Sequence, residues 1–459
     1  MRFLRFPRGR SALVLGVVLT SSLAYPLTIT GASVALPGLR AGLSAGPDAA
    51  QWAVNAYNVC FAGFLAFAGS LADAVGRRRV LTSGVTLFLA GTIACLTARD
   101  IAVFDAARAA TGAGAAAATA AGASLLAATF DGPARARAFG LLGTSLGIGL
   151  AFGPTLSGLL VDAAGWRAVF ALPAALTGAV LPFCALLPDP APRTGRPDVR
   201  GGALFTAALL LLIAVVVQAR DLPAWAIALG LLGAATLTAA FAATERGLTR
   251  RGTTTPLMDT TLFRDRRFTA YAAAAGTLMG VLVPILVYLP SYLVTVVGLD
   301  AGRAGLWTLM LTVPSVVLPG VGAALARRSP MGLVAGAVAL TGTGALALTT
   351  ITPNATALSL LIPMLLTGAG AGLTTGVVDG LAVSALPADR AGTAAGLFNT
   401  ARLTVETIAL AAAGAVLATT PTGHPTTHGI RIVCTTLGLT ALLTAAALPY
   451  AARPRKALG

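Results

Sequence analysis

The chain has 459 residues, of which 56% are apolar and 10% charged, whereas an ordinary soluble domain is about 45–50% apolar and about 25% charged. Its 32 Lys and Arg against 16 Asp and Glu leave a formal net charge of +16, carried by residues that punctuate apolar runs rather than forming one basic face. This excludes a soluble enzyme, a secreted disulfide scaffold, a disordered chain and a nucleic-acid binder, and it is the composition of a polytopic membrane protein.

A bilayer core of about 30 Å takes about 20 apolar residues per helix. Runs of that kind recur fourteen times, at 12–36, 50–71, 80–98, 101–128, 137–161, 166–187, 201–219, 224–243, 268–297, 304–324, 332–351, 356–379, 391–418 and 429–451. The first follows Arg2, Arg5, Arg8 and Arg10 in the outline of a signal peptide. It runs on through Pro26 and Gly31 without a small-residue cleavage site, so it reads as an uncleaved first helix. With both termini in the cytoplasm, inside segments hold 24 Lys and Arg and outside segments six, while Arg108 and Arg402 fall within helices. That alternation is the positive-inside signature of fourteen spans.

Polar stretches at 188–200 (PDPAPRTGRPDVR) and 244–267 divide the runs. The expected organisation is an all-α protein with a six-helix bundle at 1–187, two intervening helices at 201–243, a cytosolic linker at 244–267 and a second six-helix bundle at 268–459. Paired six-helix repeats of this kind place a binding site near the membrane midplane. Cys60, Cys95, Cys184 and Cys434 lie in or beside apolar runs and read as small core residues. His424 and His428, four apart in a proline-rich outer loop, are assigned no role. No HExxH or P-loop occurs, so neither a metal nor a cofactor is expected, and neither an enzyme nor a self-contained ATP-driven pump.

Two stretches carry more particular chemistry. GSLADAVGRRRV, Gly69 to Val80, joins the second and third runs. Gly69 permits close helix approach, Asp73 sits where a carboxylate caps a helix start, Gly76 turns the chain, and Arg77, Arg78 and Arg79 face anionic lipid. In the fifth run, GIGLAFGPTLSG places Gly149, Gly153 and Ser157 four apart on one face, with Pro154 favouring a kink and Gly158 following.

On these residues the chain resembles the fourteen-helix drug:proton antiporter family of the major facilitator superfamily. QWAVNAY at 51–57, GWRAVFALP at 165–173, FRDRRF at 263–268 and AGLFNTAR at 395–402 extend the likeness. The resemblance implies that Gly69, Asp73, Gly76, Arg77 and Arg78 form a latch between the two halves during alternating access. It also implies that Gly149, Gly153, Pro154, Ser157 and Gly158 form the antiporter motif, with serine at 157 where glycine is usual. Arg108 looks like the family's fourth-helix arginine, with Thr111 replacing a glutamine. One departure bears on mechanism: the acidic residue common in the first helix is Thr28, and a nearby asparagine is Ser33. A hydroxyl cannot carry a proton at physiological pH.

Charges inside spans are costly and mark function. Asp105 and Arg108, three apart, and Arg402 and Glu406, four apart, are each expected to pair on one helix face. Glu406 is the candidate substitute proton carrier, with Arg402, Arg108 and Asp105 as its coupling neighbours, while Asp379 reads as a solvated-edge residue. Tyr25, Thr28, Asn55, Tyr57, Asn58, Tyr288 and Asn399 are the candidate substrate contacts, and Trp52, Tyr292 and Trp307 lie where aromatic side chains anchor at the interface. The resemblance implies a secondary active exporter of drug-like or antibiotic amphipathic molecules, driven by proton antiport. A uniporter or uptake symporter of the same fold is the alternative that Thr28 favours. The expected partners are a small-molecule substrate, protons and the lipid bilayer, with no nucleic acid, and the expected assembly is a monomer.

Overall fold

A chain surrounded by lipid must satisfy every backbone N–H and C=O within itself, so its apolar runs become helices. The computed structural model describes residues 9–130, 132–188, 198–219, 222–251, 260–386, 391–418 and 426–451. Arg2, Arg5, Arg8, His424, the middle of both cytosolic linkers and the side chain of Asp73 lie outside the described residues.

The first packing group holds α1 (Arg10–Gly42), α2 (Pro47–Val75), α3 (Arg77–Thr97), α4 (Ile101–Thr129), α5 (Gly132–Ala164) and α6 (Ala171–Cys184). Within it α1 lies on α5, and α4 packs against both α2 and α3. α7 (Val199–Val217) leans on α2, and α8 (Ala224–Arg251) packs chiefly on α7. α8 therefore turns large apolar side chains such as Trp225, Leu229 and Leu232 outward, as a lipid-facing helix does.

The second group is built around α9 (Arg266–Thr295), whose residues are buried almost throughout from Leu278 to Leu293. α15 (Ala391–Ala418) and α16 (Thr427–Ala451) pack on it, and α12 (Pro330–Ala347) joins α13 (Ala357–Thr374) to α16. The two groups meet where α5 lies along α10 (Ala301–Val317), α2 along α15, and α1 along α9.

Among the described residues twelve helices are long and apolar enough to cross a membrane, or thirteen if one bent pair is a single span. Three expected spans are interrupted. The run at 166–187 opens with a 3₁₀ turn, Trp166–Phe170, before α6. The run at 304–324 bends by 42° between α10 and α11 (Pro319–Ala326), where Pro314 and Pro319 remove backbone donors. The run at 356–379 ends at Thr374, because Gly376 adopts φ +73, and a short α14 (Val377–Ser384) follows. Hydropathy registers none of these breaks, since both sides of each are equally apolar.

Candidate functional site

Gly76 is the single residue between α2 and α3, and its φ of +120 is a conformation that side-chain-bearing residues rarely adopt. The turn sets Arg77 and Arg78 at the start of α3, where Arg78 Nη1 donates to the carbonyls of Ala185 (3.4 Å) and Leu187 (3.3 Å) beyond α6. Gly69 plays a smaller part than its position suggests, because a Cβ there would meet only Ala120 at 4.0 Å.

The α5 motif faces two helices at once. A Cβ at Gly149 would lie 2.6 Å from the Leu23 carbonyl of α1, and one at Gly153 would overlap the Thr30 hydroxyl. The buried Ser157 faces Gly31 of the same helix. Gly158 points elsewhere, against the Ala301 backbone at the start of α10. Between these contacts Thr155 Oγ1 donates to the Gly305 carbonyl (2.8 Å), and Thr312 Oγ1 donates back to Ala151 (2.8 Å). Pro154 contributes its carbonyl, 2.6 Å from the Cβ position of Gly305. The motif thus lets one helix touch both α1 and the opposite group.

The two expected charge pairs do not form. Arg108 is fully buried, but its Nε donates to the Ala53 carbonyl (2.8 Å), and its guanidinium lies 4.6 Å from the Tyr57 ring centroid and 6.0 Å from that of Phe170. Both Nη atoms lack a hydrogen-bond partner among the described residues, as does Asp105 Oδ1. A cation over an aromatic face replaces the neighbouring carboxylate. Arg402 likewise turns from Glu406. Its Nη1 lies 3.3 Å from Asp379 Oδ1, and its Nη2 donates to Asn399 Oδ1 (2.8 Å). Asp379, expected at a solvated edge, is partly exposed, and the break at Gly376 brings it, in the first turn of α14, to the charge on α15.

Glu406, one turn beyond Arg402 and half-buried, is left without a hydrogen bond or ion pair among the described residues. It lies within electrostatic reach of both Tyr57 and Arg402. Tyr57 donates to the Tyr25 carbonyl (3.3 Å), and Tyr25 packs edge-on against Phe88. Tyr25, Tyr57 and Arg108 thus form one cluster, Asp379, Asn399 and Arg402 a second, and Glu406 interacts electrostatically with a member of each. Asn55 is wholly buried with neither amide atom partnered among the described residues, whereas Asn58 donates to Val54 (3.0 Å). Thr28 is buried and donates to its own helix at Ala24 (3.1 Å). Tyr288 belongs to the second group, with its hydroxyl 3.4 Å from the Leu410 carbonyl. Tyr292 is buried and bonded to Thr427 (2.9 Å), so it is a core residue rather than an interfacial anchor.

The fifth apolar run ends at 161, so Asp162 falls outside every run and hydropathy does not single it out. Its position one residue beyond that run, ahead of the turn at Gly165, is the signal that could have found it.

Comparison with known proteins agrees with this architecture. The chain is 34% identical over 397 residues to the multidrug resistance protein Stp of Mycobacterium tuberculosis, covering 84% of this chain and 72% of that one. It is 33% identical over 428 residues to a probable actinorhodin transporter of Streptomyces coelicolor, covering 89% and 72%. Among solved structures it overlays the POT family transporter PepTSo with a TM-score of 0.72 at 15% identity, over 97% of this chain and 98% of that one. The Major Facilitator Superfamily model matches residues 18–410, and the chain belongs to that superfamily, as a multi-pass transporter of the bacterial plasma membrane.

Proposed function

We propose that the protein is a secondary active exporter of drug-like or antibiotic amphipathic small molecules, driven by proton antiport, with Glu406 as the coupling carboxyl. The carrying observation is the half-buried carboxyl of Glu406, which has no ion-pair partner among the described residues, since Arg402 is held by Asp379 and Asn399. A carboxyl in an apolar span is tolerated as the neutral acid, whereas its anion needs a cation nearby. Proton release from Glu406 is thereby linked to arrival of a cationic substrate or to rearrangement of Arg402. Such a switch supplies the differential stabilisation of two states that coupled exchange requires. A multidrug resistance protein and a probable actinorhodin transporter among the relatives support export as the direction.

The arrangement goes with fourteen spans. They comprise α1–α6, the intervening α7 and α8, and six from the second group, counting α10 with α11 and α13 with α14 as one each. Both termini then lie in the cytoplasm and the unit is a monomer. Gly69, Asp73, Gly76, Arg77 and Arg78 serve as the cytosolic latch, and Tyr25, Thr28, Asn55, Tyr57, Asn58, Tyr288 and Asn399 as substrate contacts. The buried Thr28, bonded to its own helix, favours a second reading as a uniporter or uptake symporter.

Inverted vesicles carrying an imposed pH gradient, screened with dyes and antibiotics, separate the two. Uphill uptake into such vesicles is expected for the wild type and should be abolished in Glu406→Gln, with equilibrium binding of neutral compounds retained. Gradient-driven transport by Glu406→Gln equal to wild type would overturn the assignment, and uptake of the opposite sense would establish the second reading.

A further inference from the structure

The start of α10 joins the two packing groups. The first backbone N–H groups of a helix have no partner within it. In α10 the N–H of Arg303 is taken by the residue that precedes the helix, donating to Asp300 Oδ1 at 2.7 Å. The other two are taken from across the molecule. Ala301 N–H donates to Asp162 Oδ1 (3.2 Å), and Gly302 N–H donates to Asp162 Oδ2 (2.7 Å). Asp162 lies near the end of α5, in the opposite group, so one carboxylate ties two helices that alternating access must part. The positive end of the helix dipole strengthens the tie, and bonds to an ionised acceptor are stronger than neutral ones.

Contacts beneath it run in one direction only. Gly158 against Ala301, Thr155 with Gly305 and Thr312 with Ala151 close α5 onto α10. Further along α5, a Cβ at Gly147, Gly143 or Gly140 would meet nothing within 4 Å, and α10 gives way to the 42° bend into α11. The pair is joined at the Asp162 end and apart at the other. Asp162 is itself exposed, so water replaces its two donors as soon as the helices separate, and the contact is reversible.

We propose that Asp162 is a gating residue that holds this end of the transporter shut by capping α10 from α5, and that its release accompanies opening there. The proposal rests on alternating access of the superfamily fold and is independent of the substrate and of the coupling ion.

The test uses Thr308→Cys, a buried position two turns into α10, and a membrane-impermeant maleimide applied separately to intact cells and to inverted vesicles. The native cysteines are all buried, and protein without Thr308→Cys supplies their background rate. Adding Asp162→Ala should raise the alkylation rate from the Asp162 side about tenfold, equivalent to about 1.4 kcal/mol. Asp162→Asn, which keeps one acceptor, should fall between. Asp300→Ala removes a cap from the same helix without unlinking the groups, and should stay within about twofold of the parent. An unchanged rate in both Asp162 variants, or an equal rise in Asp300→Ala, overturns the proposal, the latter by showing mere fraying of α10. If Asp162→Ala does not reach the membrane, Asp162→Asn against Asp300→Ala decides. Labelling needs no substrate, so the result stands whether or not export is demonstrated.

Discussion

Substituting alanine at Gly158 tests how closely α5 and α10 approach. The added carbon would overlap the Ala301 carbonyl oxygen, and it would lie 2.8 Å from that carbonyl carbon and 3.1 Å from Gly302 Cα. Ordinary contact between heavy atoms is about 3.5–4.0 Å. All three neighbours are backbone, so no side chain can swing aside and the helices must move apart by about 1 Å. Overpacking of this kind costs about 1–3 kcal/mol. The separation also stretches the Thr155–Gly305 and Thr312–Ala151 hydrogen bonds, each contributing about 1 kcal/mol net. Together these effects destabilise the joined state by about 2–4 kcal/mol. The protein carries its own reporter, because Cys60, Cys95, Cys184 and Cys434 are all buried and become reactive to a thiol-sensitive fluorophore only on unfolding. Purified Gly158→Ala is expected to unfold at a clearly lower temperature than wild type. Gly143→Ala, where a Cβ meets nothing within 4 Å, should be neutral or gain up to about 1 kcal/mol from helix propensity. Equal midpoints for the two variants would refute the close α5–α10 approach.

The latch reading of the α2–α3 turn predicts that Asp73→Asn slows transport in vesicles while membrane insertion, followed by expression and fractionation, is unchanged. Wild-type rates in that variant would remove the gating role. The Asp379–Arg402 pair is partly solvated, with side-chain exposures of 40% and 26%. A double-mutant cycle of Asp379→Asn and Arg402→Gln, read by the same thiol-unfolding assay, should therefore give a coupling of no more than about 1 kcal/mol. A coupling well above that would mean the pair is sequestered from water.

The α5 motif was legible in the sequence down to its partner-facing glycines, because small-residue spacing along a helix is a local property. Gly149 and Gly153 do meet a neighbouring helix, and Pro154 sits within α5. What the spacing could not say is that the neighbour is α1 while Gly158 addresses α10. Charge pairing failed for the same reason in reverse. Residues three or four apart on a helix are within reach of each other, so Asp105–Arg108 and Arg402–Glu406 looked complete. Tertiary contacts outcompeted both, through the Tyr57 ring and Ala53 carbonyl in one case and through Asp379 and Asn399 in the other.

Local residues suffice to identify a membrane transporter: apolar runs of bilayer length, separated by basic turns, leave a chain in lipid little choice but helices, and the motifs around the second, fourth and fifth runs resemble one superfamily. Hydropathy is read one residue at a time, so the runs were found where helices stand. The breaks at Leu318 and Gly376 were not, because a bend inside an apolar stretch changes no residue's transfer free energy. Which carboxylate is left over depends on how the helices pack. Asp379 reaches Arg402 across 23 residues of chain, and Asp162 reaches the start of α10 across 139. Those distances are closed by helix packing, whose geometry depends on shape complementarity among side chains far apart in sequence, and no local pattern encodes it.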